Sequence, residues 1–415
     1  MTGDPLVTRA RRFGTVAIVL GVFTIVVFAI PNAGVVTTLS LESRLAGGAG
    51  SQIGSIDVPV LWSTLVLGLG ALALGVALWM GRWRDHAIRA GGAAIGLFVI
   101  AFLLWAARGE TLFVVDLARL SLRAAVPLTL GALAGVVSER AGVVNIAIEG
   151  QLLMGAFMAA VLASVTESPM MGTVAAILGG VAIAAMLGLL SVKFDTDQIV
   201  AGVVLIVFAT GLTSFLASQW LTVSPDMNSP ATFSAFAIPG LSSIPILGPI
   251  LFDQSFLVYV TLAAVIILQY GVFNTRWGLR LRSVGEHPKA ADTVGINVPR
   301  TRWLAVLLGG ALAGMGGAFL SIDAASSFTE EMSGGKGFIA LAAMLAGRYN
   351  PRGAFGAALV FGLSEASARA LQGFDVGIPS TLLLATPYVV TILVVSGLIG
   401  RLRIPGASAQ HYSTE

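Results

Sequence analysis

Residues 138–157 read SERAGVVNIAIEGQLLMGAF, and within this run Asn145 and Glu149 stand four residues apart. On a helix that spacing places an amide and a carboxylate on one face, offering hydrogen-bond acceptors and a donor to a polyhydroxylated ligand. The flanking residues are apolar, and a carboxylate in such a segment is costly enough to mark a site that faces protein or water. Two structural roles compete with ligand contact. Glu149 could bond backbone groups exposed where a helix breaks, or pair with Arg140 at the end of the span. A second unusual segment runs from Gly337 to Gly347, apolar but too short to cross a bilayer at 1.5 Å per residue. Gly142, Asn145 and Glu149 crowd the entrance of the first segment. Irregular backbone at membrane depth survives only where protein or water satisfies it, so Gly142, Asn145, Glu149 and Gly337 are the candidates for a translocation path or gate.

The elements that must hold these residues follow from composition. Of 415 residues, 56% are hydrophobic and 11% charged, and the mean hydropathy is +0.90, far above a soluble domain. The chain therefore reads as an all-α, polytopic transmembrane helical bundle. Zero cysteines and three scattered histidines, His86, His287 and His411, exclude disulfides and thiolate sites and leave little for a metal centre. Catalysis is not expected, and the net charge of +3 is the basic excess of cytoplasmic loops rather than a nucleic-acid surface.

Apolar runs predict about 12 spans, within a range of 10 to 12: 13–30, 59–80, 91–107, 119–138, 146–165, 171–192, 199–221, 255–273, 303–322, 336–347, 353–371 and 378–399. With both termini inside, 18 of the 24 basic residues fall on the cytoplasmic side, as the positive-inside rule requires. This topology puts Glu149 about one turn, ~5.4 Å, inside the cytoplasmic end, a depth that favours a gate or clamp over direct ligand contact. The string GALAG recurs at 131–135 and 310–314 in helices of opposite predicted direction, which suggests an inverted repeat in the core. Asp195 and Asp197 read as a helix-start signal, Glu365 and Arg369 as an i,i+4 ion pair, and Glu330, Glu331 and Lys336 as solvated charges on the outer side.

The basic stretch 274–303, NTRWGLRLRSVGEHPKAADTVGINVPRTRW, is the longest cytoplasmic loop. Pro288 suits the first position of a short helix and Gly295 the left-handed position just past its end, with Ala290 and Ala291 small enough for close docking. SGGKGF at 333–338 lacks the upstream glycine and the Ser or Thr of a phosphate loop, so the chain has no ATP site of that type.

KAADTVG at 289–295 resembles the loop by which ABC importer permeases engage their ATPases, with Lys289 where the common form has Glu. ERAGVVNIAIEGQLLMGAF, DQIVAGVVLIVFATGLTSFL at 197–216 and IPGLSSIPILGPILFDQS at 238–255 resemble the same group. That group is the permeases of the ribose, galactose and branched-chain amino-acid superfamily, and most closely its nucleoside-uptake branch. The resemblance spans roughly 115–403. It implies a permease core at 111–403, preceded by an extension of three transmembrane helices at 1–110 and followed by a cytoplasmic tail at 404–415. Gly285, Glu286, Pro288, Ala290, Ala291 and Gly295 would form the ATPase coupling loop. The implied partners are cytoplasmic ABC ATPase subunits, which would bind the ATP and Mg²⁺, a second permease subunit, homologous or identical, and an extracellular solute-binding lipoprotein. The resemblance further implies a small-molecule solute, a setting in the lipid of a bacterial plasma membrane with both termini cytoplasmic, and no nucleic-acid partner. A nucleoside is the first expectation for the solute, with simple sugars and then branched-chain amino acids as alternatives, and an ion-coupled secondary transporter as the rival class.

Overall fold

The structure is a computed structural model that describes residues 5–45, 54–374, 379, 382, 385–393, 404–410 and 412. Among these residues ten helices are long and apolar enough to cross a membrane, and Lys336–Ala346 forms a shorter apolar helix. The chain is an all-α integral membrane protein. Eleven of the expected spans correspond to these helices. Half of the twelfth, 378–399, lies outside the described residues, as do Arg401 and Arg403, and Thr386–Leu393 is helical.

The chain divides into two compact units. One comprises residues 1–119, 238–252 and 365–386, and the other 120–237, 253–364 and 387–415. In the first, α1 (Pro5–Phe23), α2 (Val60–Trp79) and α3 (Ala87–Ala106) pack together. Gly14 and Gly21 of α1 face Gly75 and Gly68 of α2: a Cβ at Gly14 would stand 2.8 Å from the Gly75 carbonyl oxygen, and one at Gly21 the same distance from that of Gly68. Small residues at these points let the two backbones touch, the main source of association between helices that gain nothing from leaving lipid. The loops fold into a sheet of order β2–β1–β3, where β1 (Val36–Ser40) pairs antiparallel with β2 (Ser55–Pro59) and parallel with β3 (Thr111–Phe113). Asp116 anchors it by accepting from Ser43 Oγ at 2.5 Å and from the Arg44 N–H at 2.9 Å. The expected pair forms, with Arg369 Nη2 2.5 Å from Glu365 Oε1.

In the second unit, α5 (Ile148–Thr166), α6 (Pro169–Gly188) and α11 (Val298–Ala318) are wedged together on glycine. A Cβ at Gly155 would lie 2.7 Å from Gly314 Cα, and one at Gly180 would overlap the Gly310 carbonyl oxygen. Helix α4 (Val114–Arg140) runs antiparallel to α11, because Gly309 meets Ala134 while Gly316 meets Pro127 and Leu130. The two GALAG strings therefore do run in opposite directions. Each also seats a neighbour on its glycines: Gly131 and Gly135 face Ala340 and Met344 of α12 (Lys336–Ala346), and Gly310 and Gly314 face α6. Helix α7 (Gln198–Leu216) starts where Asp197 accepts from the N–H groups of Ile199 and Val200, the capping its position predicts.

Gly180→Leu should cost roughly 3 kcal/mol by forcing α6 off α11, read as a lower melting temperature and loss of the monodisperse peak in detergent. Gly96→Leu, at a position with open space around it, should leave both unchanged.

Candidate functional site

Helix α4 ends at a left-handed glycine. Gly142 has φ +85° and its N–H bonds to the Glu139 carbonyl at 2.9 Å, after which residues 141–147 leave the helical ladder and α5 begins at Ile148. Asn145 therefore precedes the helix and does not share a helical face with Glu149, contrary to the spacing argument. Its amide instead exchanges two hydrogen bonds of 3.2 Å with Gln151, both side chains being fully buried. The freed backbone is satisfied in part from α7, where Gln198 Oε1 accepts from the Val144 N–H at 2.7 Å.

Glu149, in the first turn of α5, is buried and bonded on both oxygens. Oε1 accepts from Ser333 Oγ at 2.7 Å and from the Gly335 N–H at 2.8 Å, and Oε2 accepts from the Gly337 N–H at 2.5 Å. These donors stand at the start of α12, where unpaired N–H groups and the positive end of the helix dipole favour an anion. Gly334 and Gly335, at φ +53° and +78°, turn the chain so that the N–H groups converge. A Cβ at Gly337 would stand 2.5 Å from the Glu149 nitrogen, so only glycine admits this approach. Of the two structural roles open to Glu149, the backbone one is realised. Arg140 points elsewhere and donates from Nε to the Tyr349 carbonyl at 3.0 Å.

Glu149 also stands well away from Arg140. Arg140 meets Tyr349 just past one end of α12, while Glu149 meets the other end. The 11 residues between rise about 16 Å. Residues 141–147 cover that separation as irregular backbone, which rises further per residue than a helix does, while Glu149 itself stays in the first turn of the apolar helix.

Beside the cradle lies a cavity of about 290 Å³, lined by Glu149, Leu153, Ile206 and Thr210 on one side and by Glu331, Ser333, Gly335 and Phe338 on the other. This volume is at the small end of ligand sites. Of these residues, sequence reasoning singled out Glu149 for the path and set Glu331 aside as a loop charge. The missed signal was SGGKGF itself: the string fails as a phosphate loop but does bind an anion, the chain's own carboxylate.

The candidate coupling residues gather at the opposite end of the unit. Helix α9 (Arg276–Glu286) is followed by α10 (Pro288–Thr293), with Pro288 in its first turn and Gly295 at φ +82° just beyond it. The Gly295 N–H bonds to the Asp292 carbonyl at 2.8 Å, and the Ile296 N–H to the Ala291 carbonyl at 3.1 Å. Ala291 is buried against Val284, Val298, Ile296 and Tyr412, whereas Ala290 is exposed, as a docking face requires. Gly285 sits against the Arg140 carbonyl, and Gly142 lies beside Gly285 and Arg302. Gly142 thus sits beside the candidate coupling residues and does not line the cavity. The C-terminal residues, which the sequence left as a plain tail, close over this end. The Ala407 N–H bonds to the Gly285 carbonyl at 2.8 Å, the Gly406 N–H to Glu286 Oε2 at 3.2 Å, and Arg302 Nη1 to the Gln410 carbonyl at 2.9 Å.

Residues 117–399 match the family described as branched-chain amino acid transport system / permease component. The chain belongs to this permease family. Similar relatives include the guanosine ABC transporter permease protein NupQ of Bacillus subtilis, 38% identical over 297 residues. The nucleoside ABC transporter permease protein NupC of Lactococcus lactis is 39% identical over the same length. Each alignment covers 69% of this chain and 93% of the relative. The guanosine ABC transporter permease protein NupP of B. subtilis is 26% identical over 379 residues, covering 86% of this chain and 99% of the relative. No solved structure matches the permease. The cradle, the cavity and helices α9 and α10 all fall inside the family match, and the C-terminal residues 404–412 fall outside it.

Glutamine at position 149 cannot reproduce the cradle, because its NH2 group would face an N–H or O–H donor that now meets a carboxylate oxygen. E149Q should therefore destabilise the permease by about 2 kcal/mol and S333A by about 1 kcal/mol, measured by thermal unfolding in detergent. Equal stability of E149Q and wild type would show that the charge is not needed to hold α12.

Proposed function

We propose that this permease is a transmembrane subunit of an ATP-driven ABC importer for nucleosides. The observation that carries the reading is the 38% and 39% identity, over 297 residues, to permeases named for guanosine and for nucleosides. The cavity beside Glu149 would lie on the route, and Glu149 would act as a clamp that holds α12 in place rather than as the residue that chooses the ligand. ATP would be hydrolysed by separate cytoplasmic subunits docked on the exposed face of α10, with both termini of this chain on the same side. An extracellular binding protein would deliver the solute. Residues 111–403 would form the shared core, and the three helices of 1–110 an addition to it.

The second permease of the complex is proposed to be a different chain. Matches come in pairs from one organism, and this chain is closer to one member of each pair: 38% to NupQ against 26% to NupP, and 39% to NupC against 25% to NupB of L. lactis. A sugar as solute is the second reading, favoured by 32% identity over 332 residues to the putative glucose ABC transporter permease protein TsgC13 of Haloferax volcanii.

Deleting the gene should abolish uptake of labelled guanosine and uridine and leave ribose and glucose uptake intact; the reverse pattern would replace the nucleoside with a sugar. For the coupling role, Gly295→Val should lower the ratio of solute moved to phosphate released in proteoliposomes, because a β-branched residue pays ~1–2 kcal/mol or more in the left-handed region. Gly295→Asn, which tolerates that region, should couple normally. Unimpaired coupling in G295V would remove Gly295 from the transmission.

A further inference from the structure

Glu149 accepts three hydrogen bonds from the α12 cradle, two on Oε1 and one on Oε2, which leaves it little acceptor capacity for a ligand. Along the cavity Thr210 and Glu331 add further polar groups, and Phe338 adds an aromatic ring. Phe338 stands one residue beyond the Gly337 that touches Glu149, yet it is 52% exposed, an aromatic face left open in the first turn of α12. Glu331 is exposed and held at φ +53° in a turn that the Met332 N–H to Thr329 carbonyl bond (3.2 Å) and the Gly334 N–H to Glu331 carbonyl bond (2.9 Å) keep closed. A non-glycine residue in the left-handed region is uncommon, and such residues gather where a ligand is held. Leu153 and Ile206 complete an apolar wall.

We propose that this cavity is a nucleoside subsite in which the base lies against the Phe338 ring and the Leu153–Ile206 wall while the ribose 2′,3′-diol donates to the Glu331 carboxylate. This rests on the nucleoside reading above. The chemistry divides cleanly between the two ends of the ligand. Any nucleobase has a π-face that an aromatic ring can stack on, which gives affinity with little choice among bases. A carboxylate accepts two hydrogen bonds side by side and donates none, which matches two neighbouring hydroxyls and not a ring lacking them. The Thr210 hydroxyl can donate to a base or ribose acceptor across the cavity. Glu149 organises the floor through Ser333 and Gly335, so a shift of α12 would move Phe338 and loosen the subsite.

The test uses the full transporter in proteoliposomes with guanosine and 2′,3′-dideoxyguanosine as probes. E331Q should lower kcat/KM for guanosine about tenfold and leave the dideoxy analogue unchanged, so that the discrimination between the two collapses. F338A should lower kcat/KM for both about tenfold or more, with F338L, which keeps apolar bulk without the ring, falling between. F338L and E331Q guard against a folding defect, and each variant is first compared with wild type for melting temperature in detergent. Robust guanosine transport by wild type with unchanged discrimination in E331Q and unchanged kcat/KM in F338A would overturn the subsite. Absence of guanosine transport by wild type, with glucose carried instead, would overturn the nucleoside reading itself.

Discussion

A helix start buried within a protein has N–H groups with neither a preceding turn nor water to accept from them. In this permease that constraint falls on α12, which is 11 residues long, and Glu149 meets it from α5 through hydrogen bonds of 2.5–2.8 Å. Much of the surrounding architecture follows. The carboxylate reaches the helix start only because the chain leaves α4 at Gly142 and climbs as irregular backbone. The helix start can receive it only because Gly334, Gly335 and Gly337 allow the turn and the close approach. Buried charge is tolerated here because its ligands are preassembled N–H and O–H groups, the situation in which an ionised carboxylate loses least on leaving water.

Two further satisfactions keep the break in place. The Asn145–Gln151 amide pair uses up polar atoms that would otherwise be stranded in an apolar core, and Gln198 reaches in to accept from Val144. The opposite end of the same segment touches α9, since the Arg140 carbonyl and Gly142 lie against Gly285. A short route of packed and covalent contacts therefore runs from Gly285 through Gly142 to Glu149, between the α9–α10 pair and the cavity. The C-terminal residues Gly406, Ala407 and Gln410 tie down the outer side of that route through Gly285, Glu286 and Arg302.

How much of this was legible depended on whether the cause was local. The spans were legible because bilayer thickness imposes a length on apolar runs. The framing of α10 by Pro288 and Gly295 was legible because each residue's backbone preference acts within one turn, as does capping by Asp197. The shortness of 337–347 and the anomaly of Glu149 were also visible as violations of the membrane rule. The i,i+4 relation of Asn145 and Glu149 misled because Gly142 ends the helix before Asn145, and a glycine in a chain that holds 50 of them does not announce which one turns left-handed.

By itself, then, the sequence determined that the protein is a helical membrane bundle, that α10 is framed by Pro288 and Gly295, and that the segments around Glu149 and Gly337 depart from plain apolar spans. Only the tertiary structure decided that these two segments complete each other. Glu149 and the Ser333–Gly337 turn are 184 to 188 positions apart, and no propensity or periodicity links residues at that distance. Their pairing is set by the packing of α4, α5, α11 and α12 on glycine and alanine, where backbones approach as closely as the absent side chains permit.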